Sequence, residues 1–289
     1  MPKIDAYQKV TDQIIASLEA GAAPWQRPWS VSGFGGLPVR FNGQRYNGIN
    51  VLLLWLQGRS APTWMTYNQA KKLGGQVKKG EKGSMVVFFK QLRITETNDA
   101  GEEEAKQIPL LRFYSVFNVE QIEGLPARFY PEAAESQNGD ARLDDIEAYV
   151  TNTQAVIQHG GDRAYYRPST DEIQLPEFDQ FEDAVSYYGT TLHELAHWTG
   201  AKKRLDRLFG AAKGDPDYAK EELVAEITAS FLSATLGIEI EPREDHASYL
   251  ASWLEVLKGD KKAIFRAAAA AQKAADYLDG LQETLEKAA

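Results

Sequence analysis

The chain contains no cysteine, which removes disulfide bridges and thiolate metal ligands together. Histidine is scarce, with 4 among 289 residues, so two that fall close together stand out. Nowhere does an apolar run approach the ~20 residues that a bilayer crossing requires. The opening segment MPKIDAYQKVTDQ lacks the apolar core of a secretory signal, and a cytoplasmic protein without a membrane partner is the expectation. What is present is an ordinary globular balance, 43% hydrophobic and 25% charged, at a length that suggests about two domains.

The net charge of −9 argues on its face against a nucleic-acid partner. Its distribution argues otherwise. Residues 1–130 hold 16 Lys/Arg against 11 Asp/Glu, and the rest of the chain holds 16 against 30. Between Leu37 and Arg93 lie ten basic residues and one acid, Glu81. Two modules with different partners follow from that asymmetry.

In the front half, Ile4, Tyr7, Val10, Ile14 and Leu18 recur at helical spacing until Gly21. VLLLWLQ reads as an apolar helix. MTYNQAKKLGG reads as a short one, with Thr66 as N-cap and Gly74 just past its end. SMVVFFKQLRI and IPLLRFYSVFNVEQI read as strands, joined by the acidic loop TNDAGEEEAKQ. These elements predict a small α+β domain over 1–130, then a polar linker over 131–143. In the rear half, a helix is expected up to Gln158, and RAYYRPSTDEIQLP reads as a hairpin. Its DEIQLP strand is the expected edge for an added peptide. Four further helices follow, the first over Phe181–Trp198 and the second carrying YAKEELVAEITASFLSATL before Gly237. The domain over 144–289 is thus also α+β.

GTTLHELAHWTG places His193 and His197 about 40° apart on one helical face, because successive helical residues turn by about 100°. H-E-x-x-H on a helix is a zinc signature, with Glu194 as the base that activates a water. A third ligand must come from elsewhere. Glu221, Glu222 and Glu226 on the next helix are the candidates. Glu226 is favoured as ligand because it lies deeper in the apolar run LVAEITASFL, where an unpaired carboxylate is costly, and Glu222 is the alternative. Zn2+ is the expected ion, with Mn2+ as the other divalent candidate. Tyr187, Tyr188 and Tyr218 are donor candidates for a developing anion, although core packing is the preferred reading of each. His159 and His246 stand alone and read as structural or exposed.

Single strands need positive charge for phosphates and flat rings for bases. The front half supplies both: Trp25, Arg27 and Trp29; Arg45 and Tyr46; Lys71 and Lys72; Lys78, Lys79, Lys82 and Lys90. Nothing resembles a helix that reads a major groove, so binding without sequence preference is expected, to single strands first and duplex second.

At PWQRPW, RYNGIN, TWMTYNQAKKLGGQVKKGEKG and FNVEQIEGLP the front half resembles the N-terminal domain of the ArdC family of anti-restriction proteins of conjugative plasmids. At LHELAHWTG, RLDR, YAKEELVAEITASFL and SWLEVLKGDKKAIFRAAAAAQKAADYL the rear half resembles that family's zincin-like metallopeptidase domain. The resemblance implies a single-stranded-DNA-binding module, shared with plasmid primases related to TraC, ahead of a gluzincin-like metal domain. The function it implies is shielding of incoming DNA from restriction enzymes. The alternative is a DNA-recruited zinc metallopeptidase that cleaves a host protein or peptide.

Overall fold

The computed structural model describes residues 5–25, 36–97, 103–130, 139–207, 209–210, 215–238 and 246–286. The first helix, α1 (Ala6–Glu19), begins where the Asp5 carboxylate accepts from the backbone N–H groups of Tyr7 and Gln8, at 3.0 and 3.3 Å. After β1 (Val39–Arg40) comes α2 (Ile49–Trp55), apolar and buried except for Asn50, whose side chain pairs with the Val87 backbone. β2 (Thr63–Met65) leads into α3 (Tyr67–Lys72), which opens on a reciprocal Thr66–Gln69 capping box. β3 (Gln76–Val77), the long antiparallel pair β4 (Ser84–Thr97) and β5 (Glu103–Asn118), and β6 (Ile122–Glu123) complete the front half. One sheet runs β1-β2-β5-β4, and β3 pairs with β6. The acidic loop predicted between β4 and β5 is shorter than expected. From Glu103 the chain already pairs with β4, because the register continues outward to Thr97↔Glu103.

The rear half begins with α4 (Gly139–Asn152), so the last residues of the predicted linker are helical. That helix stops at Asn152 rather than Gln158. Gln154 takes φ 57, which a helix cannot accommodate, and Val156–His159 form the strand β7. β8 (Tyr165–Arg167) and β9 (Glu172–Leu175) make the predicted hairpin. β7 then adds parallel to β9, giving the order β7-β9-β8. DEIQLP is therefore the central strand, with both edges occupied, and β8 is the outer strand on the hairpin side, with no further strand paired to it among the described residues. Four helices follow: α5 (Ala184–Thr199), α6 (Pro216–Leu236), α7 (His246–Gly259) and α8 (Ala263–Glu286). Asp183 caps α5 by accepting from the Ser186 N–H at 2.7 Å. Gly237 ends α6 in the left-handed conformation.

The two halves share the larger hydrophobic core, and a smaller cluster of Met65, Ala70, Val119, Ile122 and Phe129 lies within the front half. Val10, Ile14 and Leu18 of α1 and Leu52–Trp55 of α2 belong to the same buried cluster as Leu192, Leu195, Phe231 and Trp253. Trp25 stands edge-on to Trp253 at 5.7 Å, and Trp55 edge-on to Phe231 at 5.7 Å. Polar ties cross the same seam. Ser230 Oγ donates to the Trp25 carbonyl at 2.6 Å, and Thr11 Oγ1 to the Lys261 carbonyl at 2.8 Å. No helix among the described residues is long and apolar enough to cross a membrane.

Candidate metal centre and nucleic-acid face

The H-E-x-x-H segment occupies the last part of α5, buried from Thr191 to Thr199, and α6 crosses it. His193 Nε2 and His197 Nε2 approach to 3.2 Å. The Glu222 carboxylate spans the pair, Oε2 3.5 Å from His193 Nε2 and Oε1 3.4 Å from His197 Nε2. A tetrahedral ion with ligand bonds of ~2.0–2.1 Å separates its ligand atoms by ~3.4 Å, so the imidazole pair is spaced as such an ion requires and each Glu222 oxygen reaches one of the two nitrogens at a comparable distance. Three donors, all nitrogen or oxygen, fit a divalent ion held by two neutral imidazoles and one carboxylate.

Position in the apolar run favours Glu226 for this place, but it is Glu222 that groups with the two histidines. Glu226 lies on the far side of the His193 ring, with Oε1 3.5 Å from Nδ1. Glu221 takes the equivalent place for His197, 3.2 Å from its Nδ1. Each ring thus turns Nε2 to the cavity and Nδ1 toward an outer carboxylate, within hydrogen-bond reach at His197 but without a hydrogen bond at His193 among the described residues. Depth in an apolar run ranked the two glutamates by cost of burial, whereas the direction of α6 decides which one reaches the Nε2 pair.

Burial alone would raise the Glu222 carboxyl, but its contacts with His193 and His197 outweigh that and hold it well below the usual range. Burial would likewise strip the proton from His197. Glu221 and Glu222 outweigh it and raise that imidazole to about 10. A bound cation would replace this proton.

Glu194 is buried beside the pair and lines the same cleft, a cavity of about 260 Å³ walled by Tyr165, Tyr166, Phe209, Tyr218 and Tyr249. Of the three tyrosines singled out in the sequence, Tyr187 bonds to His159 at 2.9 Å and Tyr188 donates to Glu147 at 2.9 Å. Tyr218 faces the cleft, its hydroxyl 3.2 Å from that of Tyr249. Burial, the Tyr249 bond and the Glu222 charge push its phenol far above the ordinary value, so it stays a neutral donor. Tyr249 was invisible to the sequence reading, since nothing in ASYLASWLEV marks its ring for the cleft. The side chain of His246 lies outside the described residues.

On the front half, Arg45, Lys71, Lys72, Lys78, Lys79, Lys82 and Lys90 are exposed. Glu81, the lone acid of this stretch, faces Arg59 at 3.3 Å and accepts from Gln121 at 2.7 Å. It anchors the loop from within while Lys79 and Lys82 stay in solvent. Lys78 donates to the Glu120 carbonyl at 2.9 Å. Two predicted stacking rings are corrected: Trp25 is 2% exposed and Tyr46 3%, both inside the shared core, so neither offers a face to a base. Arg27 and Trp29 lie outside the described residues. Of the other aromatics interleaved with basic residues in the sequence, Tyr67, Phe88 and Phe89 are exposed, as are Phe113 and Tyr130.

The fold and this group of donors define a zincin-like domain behind a basic α+β front domain. Residues 144–270 match the zincin-like metallopeptidase family, and residues 4–117 match the N-terminal domain of anti-restriction factor ArdC. The metal-free crystal structure of the antirestriction ArdC protein of plasmid R388 superposes with a TM-score of 0.83, at 44% identity over 97% of this chain and 99% of that one. Its Mn(II)-bound form superposes at 0.78, over 96% and 98%. The uncharacterised protein y4eC of Sinorhizobium fredii (strain NBRC 101917 / NGR234) is 40% identical over 98% of this chain and 94% of its own. An Escherichia coli DNA primase TraC is 42% identical over 94% of this chain, which spans 27% of that primase. The chain belongs to the ArdC family of plasmid antirestriction proteins, and its rear half carries a site for a divalent metal ion.

Proposed function

We propose that the protein protects entering plasmid DNA from restriction by coating it as single strands, with duplex as a weaker second target. The observation that carries this reading is the exposed cluster of Lys71, Lys72, Lys79 and Lys82 in a front domain of antirestriction type. Such charges neutralise phosphates whatever the base sequence. Tyr67 lies one helical turn from Lys71 on α3, and Phe88 and Phe89 precede Lys90 on β4, so rings for stacking lie near cations.

In the rear half, His193, His197 and Glu222 would hold the ion, with Zn2+ as our assignment and Mn2+ as the alternative that the R388 relative's bound form supports. When bound, the ion supplies a Lewis acid. Glu194 can accept a proton from a water in the cleft, and Tyr218, backed by Tyr249, can donate to a carbonyl oxygen there. β8 offers an outer edge on the cleft wall, where an extended peptide could pair. The intact base and this edge favour a second reading, a DNA-recruited peptidase that cleaves a host protein.

A restriction-protection assay with entering DNA separates the two. Coating expects Glu194→Gln to protect like wild type and charge reversal at Lys78, Lys79 and Lys82 to abolish protection. Loss of protection in Glu194→Gln with DNA binding retained establishes the peptidase reading instead.

A further inference from the structure

The segment RLDR, Arg204–Arg207, has no part in either reading above. It follows α5 directly, and its backbone folds back under that helix. Leu205 N–H donates to the Thr199 carbonyl at 3.0 Å and Arg207 N–H to the Gly200 carbonyl at 2.9 Å, with Asp206 at φ 49. The turn carries both arginines beneath the C-terminal end of the metal-ligand helix, where carbonyls lack helical partners.

The two arginines make different connections. Arg204 donates through Nε to the Trp198 carbonyl at 2.6 Å and lies over the Trp198 ring at 3.8 Å. Its guanidinium also grips Asp171, at 3.1 Å through Nη1. It ties the β8–β9 hairpin to α5. Arg207 reaches the other way. Its Nη2 donates to the Ala196 carbonyl at 2.6 Å and its Nη1 to Thr199 Oγ1 at 2.8 Å. Its remaining donors form a fork on Glu221, Nη2 to Oε1 at 2.7 Å and Nε to Oε2 at 3.0 Å. The same Oε1 lies 3.2 Å from His197 Nδ1.

We infer that Arg207 is a positioning residue for the metal centre. A planar fork fixes both oxygens of Glu221 in one plane, which a single-point contact cannot do. Held there, Oε1 accepts from His197 Nδ1–H, so the neutral ring carries its proton on Nδ1 and turns its Nε2 lone pair toward Glu222 and His193. Arg207 also binds the α5 backbone through the Ala196 carbonyl, and so sets α6, which bears Glu221 and Glu222, against α5, which bears the histidines. One side chain thereby aligns ligands from two helices without touching the ion. Its positive charge further offsets one of the buried carboxylates around the pair.

The inference rests on the divalent-metal reading of the site, and its test is Mn2+ binding to the full chain. Arg207→Gln, and Glu221→Gln in parallel, should keep the helical far-UV spectrum and lose about 10- to 100-fold in Mn2+ affinity, the range seen when an outer partner of a ligand histidine is removed. Arg207→Lys, which keeps the charge without the fork, should fall between them and wild type. Arg204→Gln disturbs the same turn without reaching Glu221; it should lower Tm and leave the Mn2+ constant unchanged. The inference is overturned if Arg207→Gln or Glu221→Gln binds Mn2+ like wild type. It is equally overturned if Arg204→Gln loses as much affinity as Arg207→Gln, since the turn alone would then matter. If Arg207→Gln does not fold, the Glu221→Gln result decides. Failure of wild type to bind Mn2+ would sink the metal site itself, a separate outcome.

Discussion

Glu222 and Glu226 stand one turn apart on α6, about 40° apart around the helix, and the His193 ring lies between them. Their duties differ because one meets Nε2 and the other Nδ1. Glu222→Gln should abolish measurable Mn2+ binding, while Glu226→Gln should cost about tenfold, the low end for an outer partner, because Glu226 neighbours His193 Nδ1 without a hydrogen bond. Calorimetric titration of both variants checks this, and the reverse order would return the ligand role to Glu226. Protons compete for the same site. Without metal, His197 is raised from 6.5 to about 10, so its pairing with Glu221 and Glu222 stabilises the fold fully below pH 6.5 and fades as pH climbs through 10. Metal binding must expel that proton. Affinity should therefore rise about tenfold per pH unit between pH 7 and 9, one proton being released per ion. The metal-induced gain in Tm should grow over the same interval, and an affinity flat with pH would contradict a protonated His197.

At the level of elements, α6 does most of the connecting. Its first turns bring Glu221, Glu222 and Glu226 to α5, and its later turns hold Trp25 through Ser230 and Trp55 through Phe231. Trp253 of α7 closes the same joint, fully buried, with Nε1 donating to the Ala219 carbonyl of α6 at 3.1 Å. Trp253→Ala should destabilise the whole chain by about 3–5 kcal/mol, because it opens a cavity between Trp25 and α6. Thermal unfolding would check it, and a loss confined to the rear half would argue against a common core. The helices were legible in the sequence, since period, caps and the stops at Gly21, Gly74 and Gly237 are local signals. The histidine pair was legible for the same reason. Strand order was not: β7 comes from residues that read as a helix end, and its parallel addition to β9 is a long-range event with no local mark. That event turned the expected edge strand into a central one. Trp25 and Tyr46 misled in the same way. An aromatic beside arginine reads as a stacking platform, and only tertiary packing shows the ring turned inward.

Across the whole molecule, the chain divides by charge without dividing by core. Basic side chains crowd the front surface, and the carboxylates that matter most lie buried around the histidine pair behind it. The shared core lets one compact body present both. The central claim is that the front surface grips single strands by neutralising phosphates, and equilibrium affinity for an unstructured single-stranded oligonucleotide across a salt series tests it most directly. The expected result is a linear fall of log K with log salt, with a slope of about −0.7 per phosphate contacted. Charge reversal at Lys78, Lys79 and Lys82 should make that slope shallower. An affinity indifferent to salt, or binding no tighter to the oligonucleotide than to heparin, would contradict the account.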